Sequence, residues 1–215
     1  MEELLLIVFA YFIGSIPSAL IISKRFFHID IRDYGSGNMG ATNTFRVLGS
    51  KYGTLVMVCD ILKGMAAVGL YNFLPEYFND EWARTNLMVG LGLAAVVGHI
   101  FPIFAQFRGG KGVATLFGMI LAVQPVIAVC CVGVFLLVLF LTRYVSLSSI
   151  LAGLALPVCV LWIWNDEVVL YRIFAILVAA LIILTHQKNI GKLLRGSESR
   201  VPIFKHRDRR KSRRK

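Results

Sequence analysis

Long apolar runs alternate with short polar ones along this chain, and the polar ones carry nearly all of its charge. Residues 4–23 are apolar over about 20 positions, enough to cross ~30 Å of hydrocarbon as one helix. Glu2 and Glu3 precede this run and Lys24-Arg25 follow it. The positive-inside rule therefore predicts an outer N-terminus and a cytoplasmic loop over residues 24–53. Glutamates stand where a basic leader would begin and no small-residue cleavage site follows, so the run reads as a retained span. Pro17 predicts a bend in it, tolerable where neighbouring groups satisfy the freed backbone. Residues 54–74 and 87–107 predict the second and third spans, joined by an acidic, aromatic outer loop over residues 75–86.

Residues 113–142 are apolar throughout, with Lys111 before and Arg143 after. If both cations are cytoplasmic, the segment crosses an even number of times. Gln124-Pro125 is its only polar break, which predicts a hairpin of two short helices. The first, Val113–Val123, rises only ~16 Å at 1.5 Å per residue, so its hinge sits within the membrane or the bilayer thins there. A single crossing is the alternative. Residues 147–164 then lead out to an acidic turn, Asn165-Asp166-Glu167, and residues 168–185 return. The pattern predicts an all-α polytopic bundle of seven transmembrane helices, some short, N-terminus outside and C-terminus cytoplasmic. Residues 1–200 form its membrane domain. Residues 201–215 read as a disordered basic tail on charge alone.

Composition agrees: 57% hydrophobic residues, 16% charged and a mean hydropathy of +0.73 describe a multi-pass membrane protein. The net charge of +11 is uneven, since five Lys and seven Arg stand against Glu198 and Asp208 between residues 186 and 215. That tail lacks interleaved aromatics, so it reads as an anchor to anionic lipid and not as a nucleic-acid binder. Cys59, Cys130, Cys131 and Cys159 all lie in apolar segments without metal or redox spacing. No cluster of ligands implies a metal, no cofactor motif is present, and no Gly-x-Ser-x-Gly elbow implies a serine nucleophile.

Three polar clusters share the predicted cytoplasmic side. Residues 35–46, Gly-Ser-Gly-Asn-Met-Gly-Ala-Thr-Asn-Thr-Phe-Arg, combine a permissive backbone with the neutral groups of Ser36, Asn38 and Asn43 and the planar fork of Arg46. Residues 108–112, Arg-Gly-Gly-Lys-Gly, form a hinge between two apolar segments. Arg108, Lys111 and the N–H groups around Gly109, Gly110 and Gly112 suit an oxyanion at a helix start. The hinge is not a nucleotide-binding loop, because Lys111 is followed by Gly112 and position 105 is alanine. At the end of the last span His186 and Asn189 are one turn apart. Within the second span Asp60 and Lys63 share a face, as a mutual salt bridge or as the floor of a polar cavity; His99 lies in the third. Together these groups predict a phosphate-binding site next to lipid.

On residues 35–43 with Arg46, on Asp60-Ile-Leu-Lys63-Gly64, on residues 98–115 and on His186-x-x-Asn189-Ile190 with Gly196-x-Glu198, the chain resembles the bacterial acyl-phosphate:glycerol-3-phosphate acyltransferases. The resemblance runs to about Arg200. It implies transfer of a fatty acyl group from acyl phosphate to the 1-hydroxyl of sn-glycerol 3-phosphate, giving lysophosphatidic acid at the bacterial inner membrane, with no obligate protein partner. It further implies Ser36, Arg46, His186 and Asn189 as the residues of turnover. Gly37, Asn38, Asn43, Lys63, Arg108, Gly109, Gly110, Lys111, Gly112 and Thr115 would bind substrate or phosphate, with Asp60, His99 and Glu198 in support. The proton passes either to His186 or to the departing phosphate; the lack of a His–carboxylate pair favours the phosphate. An organophosphate transporter or channel is the competing class, although no two related halves are visible.

Overall fold

A computed structural model describes residues 1–164 and 167–201 of the chain. Most of the acidic turn predicted around Asn165-Asp166 and all but the first residue of the basic tail lie outside the described residues. Among those described, every regular element is helical.

The first span is broken where the sequence places its proline. Helix α1 (Glu2–Ser15) ends at Ile16-Pro17 and α2 (Ser18–Phe27) continues, the two making one apolar stretch of 26 residues. At the break the Ile16 carbonyl accepts a hydrogen bond from Lys63 Nζ at 3.0 Å, a protein donor for a backbone group in the apolar layer. The loop expected over residues 24–53 is more ordered than its polarity implied. It holds the end of α2 and a short helix, α3 (Ala41–Leu48), before α4 (Ser50–Gly69). Helix α5 (Glu81–Ile100) starts ahead of the predicted residue 87, because Asp80 caps it: its Oδ1 accepts the Ala83 N–H at 3.0 Å. It also stops short of residue 107. Pro102 ends the helical course, and the apolar residues beyond fold into a tight turn.

Two helices stand where the sequence predicted a hairpin, broken at the expected Gln124-Pro125. Helix α6 (Val113–Val123) ends at Gln124, and α7 (Pro125–Thr142) begins on Pro125, whose missing N–H costs nothing at a first helical position. Helix α8 (Val145–Val158) contains Pro157 and loosens into a π-turn over Cys159–Ile163, where the Trp164 N–H reaches the Cys159 carbonyl at 2.8 Å. Helix α9 (Val169–Thr185) is followed after a 61° bend at His186 by α10 (Gln187–Leu194). Five stretches are long and apolar enough to cross a membrane, namely Glu2–Phe27, Ser50–Phe73, Glu81–Ala105, Pro125–Thr142 and Val145–Ile163; the bent pair α9–α10 makes a sixth. The seventh predicted crossing rests on α6, which has only 11 residues.

Backbone proximity holds the bundle together. A Cβ on Gly64 of α4 would fall 2.2 Å from the Thr115 carbonyl oxygen of α6, and one on Gly118 of α6 would fall 2.0 Å from that of Ile61. The two glycines thus clear the same helix crossing from both sides, the packing that apolar solvent favours. Beside this crossing Met119, Ile127, Tyr171 and Phe174 fill a core shared by α6, α7 and α9. The result fixes the start of α6 against α4 and α5, and that start carries the hinge.

Candidate active site

Asn43 organises the first polar cluster. Its Oδ1 accepts the Ser36 N–H at 2.8 Å and the Ser36 hydroxyl at 3.1 Å, while its Nδ2 donates to the carbonyls of Ile31 at 3.2 Å and Tyr34 at 3.0 Å. The side chain is 1% exposed. Gly35 adopts φ +63°, and a Cβ there would fall 2.3 Å from Asn43 Oδ1, so glycine is demanded by conformation and by space. Asn43 was expected to bind substrate; its polar atoms are instead occupied in shaping the loop. The loop leaves Ser36, Gly37 and Arg46 exposed and Asn38 half-buried. Arg46 Nη1 also lies 3.5 Å from Asn43 Oδ1.

The hinge differs in detail from expectation. The Gly109 N–H donates to the Ile100 carbonyl at 3.2 Å and the Gly110 N–H to that of His99 at 3.1 Å. A Cβ on Gly109 would meet the His99 carbonyl oxygen at 2.1 Å, and one on Gly110 would meet the His99 ring at 2.1 Å. These glycines let the hinge lie on the end of α5, and their N–H groups close that helix instead of facing an anion. Gly112, at φ +79°, forms the start of α6, and the Leu116 N–H is the first to bond back, to the Gly112 carbonyl at 2.7 Å. The N–H groups of Val113, Ala114 and Thr115 have no acceptor within the helix. Anion-binding capacity therefore sits at Lys111 and the start of α6. Arg108 is exposed on the flank. The Thr115 side chain, expected at the substrate, is wholly buried where α6 meets α4.

The third cluster closes on the hinge. Lys111 Nζ donates to Asn189 Oδ1, and Asn189 Nδ2 donates to Glu198 Oε1 at 2.8 Å. The same carboxylate oxygen accepts the Ser146 hydroxyl of α8 at 3.0 Å. Burial pushes Lys111 down to about 8, against the opposing pull of the Glu198 carboxylate. His186 is buried, and its Nδ1 lies 2.8 Å from the Ile182 carbonyl. A carbonyl only accepts, so Nδ1 carries the proton and the neutral ring presents Nε2 as an acceptor. Arg46 Nη2 donates to the Ser199 hydroxyl at 2.7 Å, one residue beyond Glu198. One hydrogen-bonded course thus runs from Ser36 through Asn43, Arg46 and residues 199–198 to Asn189 and Lys111.

Beneath the hinge lies a second, buried group. Asp60 Oδ1 accepts the Ser18 hydroxyl at 3.0 Å and pairs with Lys63 Nζ at 2.9 Å, while His99 Nδ1 stands 3.7 Å away. Lys63 was expected at a phosphate. Its ammonium is committed to Asp60 and the Ile16 carbonyl, and among the described residues it bonds to none of Arg46, Lys111 or Asn189. Asp60 ties α2 to α4 through Ser18, and His99 carries the hinge on its ring.

Four participants escaped the sequence reading. Ser146 had no distinguishing signal, since Ser148 and Ser149 beside it merely bond back to their own helix. Ser199 lay past the last recognisable motif. Asp30 and Arg32 form a two-pronged ion pair at 2.9 and 2.6 Å, and Arg32 Nη1 reaches on to the Ala105 carbonyl at 3.1 Å. That bond ties the first loop to the hinge turn, where Gln106 and Phe107 both take positive φ. Arg32 holds the Asp30 carboxyl down at about 2.

Comparison with known proteins bears directly on this arrangement. Residues 4–196 match the glycerol-3-phosphate acyltransferase family. The chain belongs to that family. It is 40% identical over 230 residues to the glycerol-3-phosphate acyltransferase of Chlorobium chlorochromatii, covering 94% of this chain and 98% of the relative. Glycerol-3-phosphate acyltransferase 2 of Bacillus anthracis is 45% identical over 199 residues, 93% and 99% of the two chains. Among solved structures, PlsY (YgiH), an integral membrane glycerol 3-phosphate acyltransferase, superposes in its glycerol 3-phosphate form with a TM-score of 0.83. The two chains are 40% identical, and the match covers 94% of this chain and 96% of that one. The lysophosphatidic acid form of PlsY gives a TM-score of 0.79 at 39% identity. Family membership makes this a multi-pass membrane protein, in keeping with its apolar helices.

Proposed function

We propose that the chain transfers a fatty acyl group from acyl phosphate to the 1-hydroxyl of sn-glycerol 3-phosphate, giving lysophosphatidic acid and inorganic phosphate, the first step of phospholipid synthesis. The observation that carries this reading is the course joining Arg46, Asn189, Glu198 and Lys111. It brings two cations and an unspent helix start into one connected group, as two phosphate-bearing substrates require. Family membership supports the acceptor and the product, since PlsY is described in forms with each. The acyl phosphate donor fits the residues, because a mixed anhydride is already activated and needs orientation and charge stabilisation more than a covalent nucleophile.

In this reading Lys111, Arg108 and the first N–H groups of α6 hold one phosphate, and Ser36, Arg46, His186 and Asn189 position glycerol 3-phosphate. The glycerol oxygen attacks the acyl carbon, the bond from that carbon to the phosphate oxygen breaks, and the hydroxyl proton passes to the departing phosphate. Nε2 of His186 then orients the hydroxyl. Loss of all turnover in His186→Ala with glycerol 3-phosphate affinity intact would instead make His186 the base. The site lies on the cytoplasmic side of a bacterial inner membrane, in a bundle that crosses seven times with α6 as the short crossing. Residues 1–200 are the enzyme and 201–215 a basic cytoplasmic tail.

Purified protein given acyl phosphate and labelled glycerol 3-phosphate is expected to form labelled lysophosphatidic acid, unchanged by a chelator. Absence of lipid product, with labelled glycerol 3-phosphate crossing proteoliposomes instead, would favour a transporter. Dependence on metal would contradict a site built from protein groups alone.

A further inference from the structure

Beyond Ser199 the chain does not leave the bundle. Arg200 Nε donates to the Tyr144 hydroxyl at 2.9 Å, its guanidinium lies 5.0 Å from the centre of the Tyr144 ring, and the Val201 N–H donates to the Arg143 carbonyl at 2.9 Å. These contacts join residues 56 and 58 apart in sequence and build an open groove of about 520 Å³, lined by Leu141, Thr142, Arg143, Tyr144 and Arg200. A lone arginine at a helix end serves as an interfacial anchor. Here a second guanidinium has been fastened beside the first. Among the described residues no hydrogen bond or ion pair engages the Arg143 guanidinium or the two Nη groups of Arg200. Glu198, the nearest acid along the chain, is already occupied by Asn189 and Ser146.

An exposed apolar stripe of α7 adjoins the groove at Leu141, and the chain leads from Arg200 to the candidate active site. Leu137 and Leu141 of α7 are 60% and 69% exposed, and with Val126 and Val129 they form a stripe up the helix at spacings of three to four residues, past the open Gly133. In the other direction residues 200, 199 and 198 run in unbroken order from the groove to Arg46 and Asn189. We propose that this groove is a docking site for a single-chain lipid bearing a phosphate monoester or acyl phosphate head, which waits there before entering the active site or after leaving it. The head lies between Arg143 and Arg200, which suit the double negative charge and forked oxygens of phosphate. The Tyr144 ring fixes the Arg200 plane, and the chain lies along the α7 stripe. This inference rests on the acyltransferase reading for its choice of lipid.

The test compares wild type, Arg143→Ala/Arg200→Ala and Arg143→Lys/Arg200→Lys. The alanine pair is expected to raise KM for a long-chain acyl phosphate, the inhibition constant of lysophosphatidate, or both, by tenfold or more. KM for glycerol 3-phosphate and kcat stay within twofold, and the lysine pair recovers part of the loss. A rise confined to one lipid assigns the groove to the donor or to the product. Unchanged constants for both lipids would overturn the proposal, as would a matching rise in the inhibition constant of inorganic phosphate, which marks a site for the free ion. So would a joint fall of kcat and both affinities. A second measurement needs neither turnover nor a folded variant: wild type is cross-linked with a lysophosphatidate carrying a photoreactive head. Labelling of residues 141–144 or 200 supports the groove, and labelling only elsewhere overturns it. Should wild type make no lipid product at all, the acyltransferase reading fails while the cross-link still reports on the groove.

Discussion

Lys111 is the residue on which the electrostatics of the site turn. Burial holds its ammonium down at about 8, so the positive charge proposed to hold phosphate is lost as pH rises through that value. Values of kcat/KM are therefore expected to fall above pH 8. Lys111→Arg, whose charge persists past pH 12, extends the plateau upward even where it lowers the maximum; a wild-type profile flat to pH 10 would remove Lys111 from phosphate binding. Glu198 acts one bond further out, taking Asn189 Nδ2 and the Ser146 hydroxyl on a single oxygen. A hydrogen bond to a charged acceptor contributes about 1.5–3 kcal/mol. Ser146→Ala is thus expected to lower kcat/KM by about tenfold, with the loss shared by Glu198→Gln and not added to it, because both act through Asn189. Additive losses would show that Ser146 works elsewhere.

At the scale of elements, the hinge is held from two sides. His99 carries Gly110 on its ring from below, and Arg32 grips the Ala105 carbonyl from the first loop. Arg32→Ala frees the hinge turn and leaves Asp30 unpaired. A loss of about 2 kcal/mol in stability is expected from charge-assisted bonds of this kind, with a larger fall in kcat/KM than Arg32→Lys produces. The pH dependence has a definite sign. The folded Asp30 carboxyl titrates at about 2, below its ordinary 3.8. Its contribution is present above pH 4, is lost as pH falls toward 2, and is absent in Arg32→Ala. A thermal-unfolding series over that range reads the difference. These links were hidden in the sequence for a physical reason. The residues 32–105 and 46–199 bonds join distant segments, and no local period reports them. The glycines of the hinge were legible as a backbone feature, yet composition could not say whether their N–H groups would face an anion or close α5. The Pro17 break and the Gln124-Pro125 break were legible because proline acts locally.

At the scale of the molecule, the helical bundle and the grouping of three polar clusters at one end followed from hydropathy and charge parity. The boundaries of α5 did not, because Asp80 caps and Pro102 ends the helix independently of where the apolar run starts and stops. The proposed seven crossings place residues 75–80 outside and α10 inside. Glu76→Cys is expected to react with an impermeant maleimide on intact cells and Lys188→Cys only after permeabilisation; the reverse pattern would invert the topology.

The most direct test of the account follows both products of one reaction. Purified protein is supplied with a long-chain acyl phosphate and glycerol 3-phosphate, and lysophosphatidic acid and inorganic phosphate are counted together, with an acyl thioester as the comparison donor. The account predicts one phosphate released for each lipid formed, and no lipid from the thioester. Lipid formed from the thioester, or phosphate released without lipid, would contradict it.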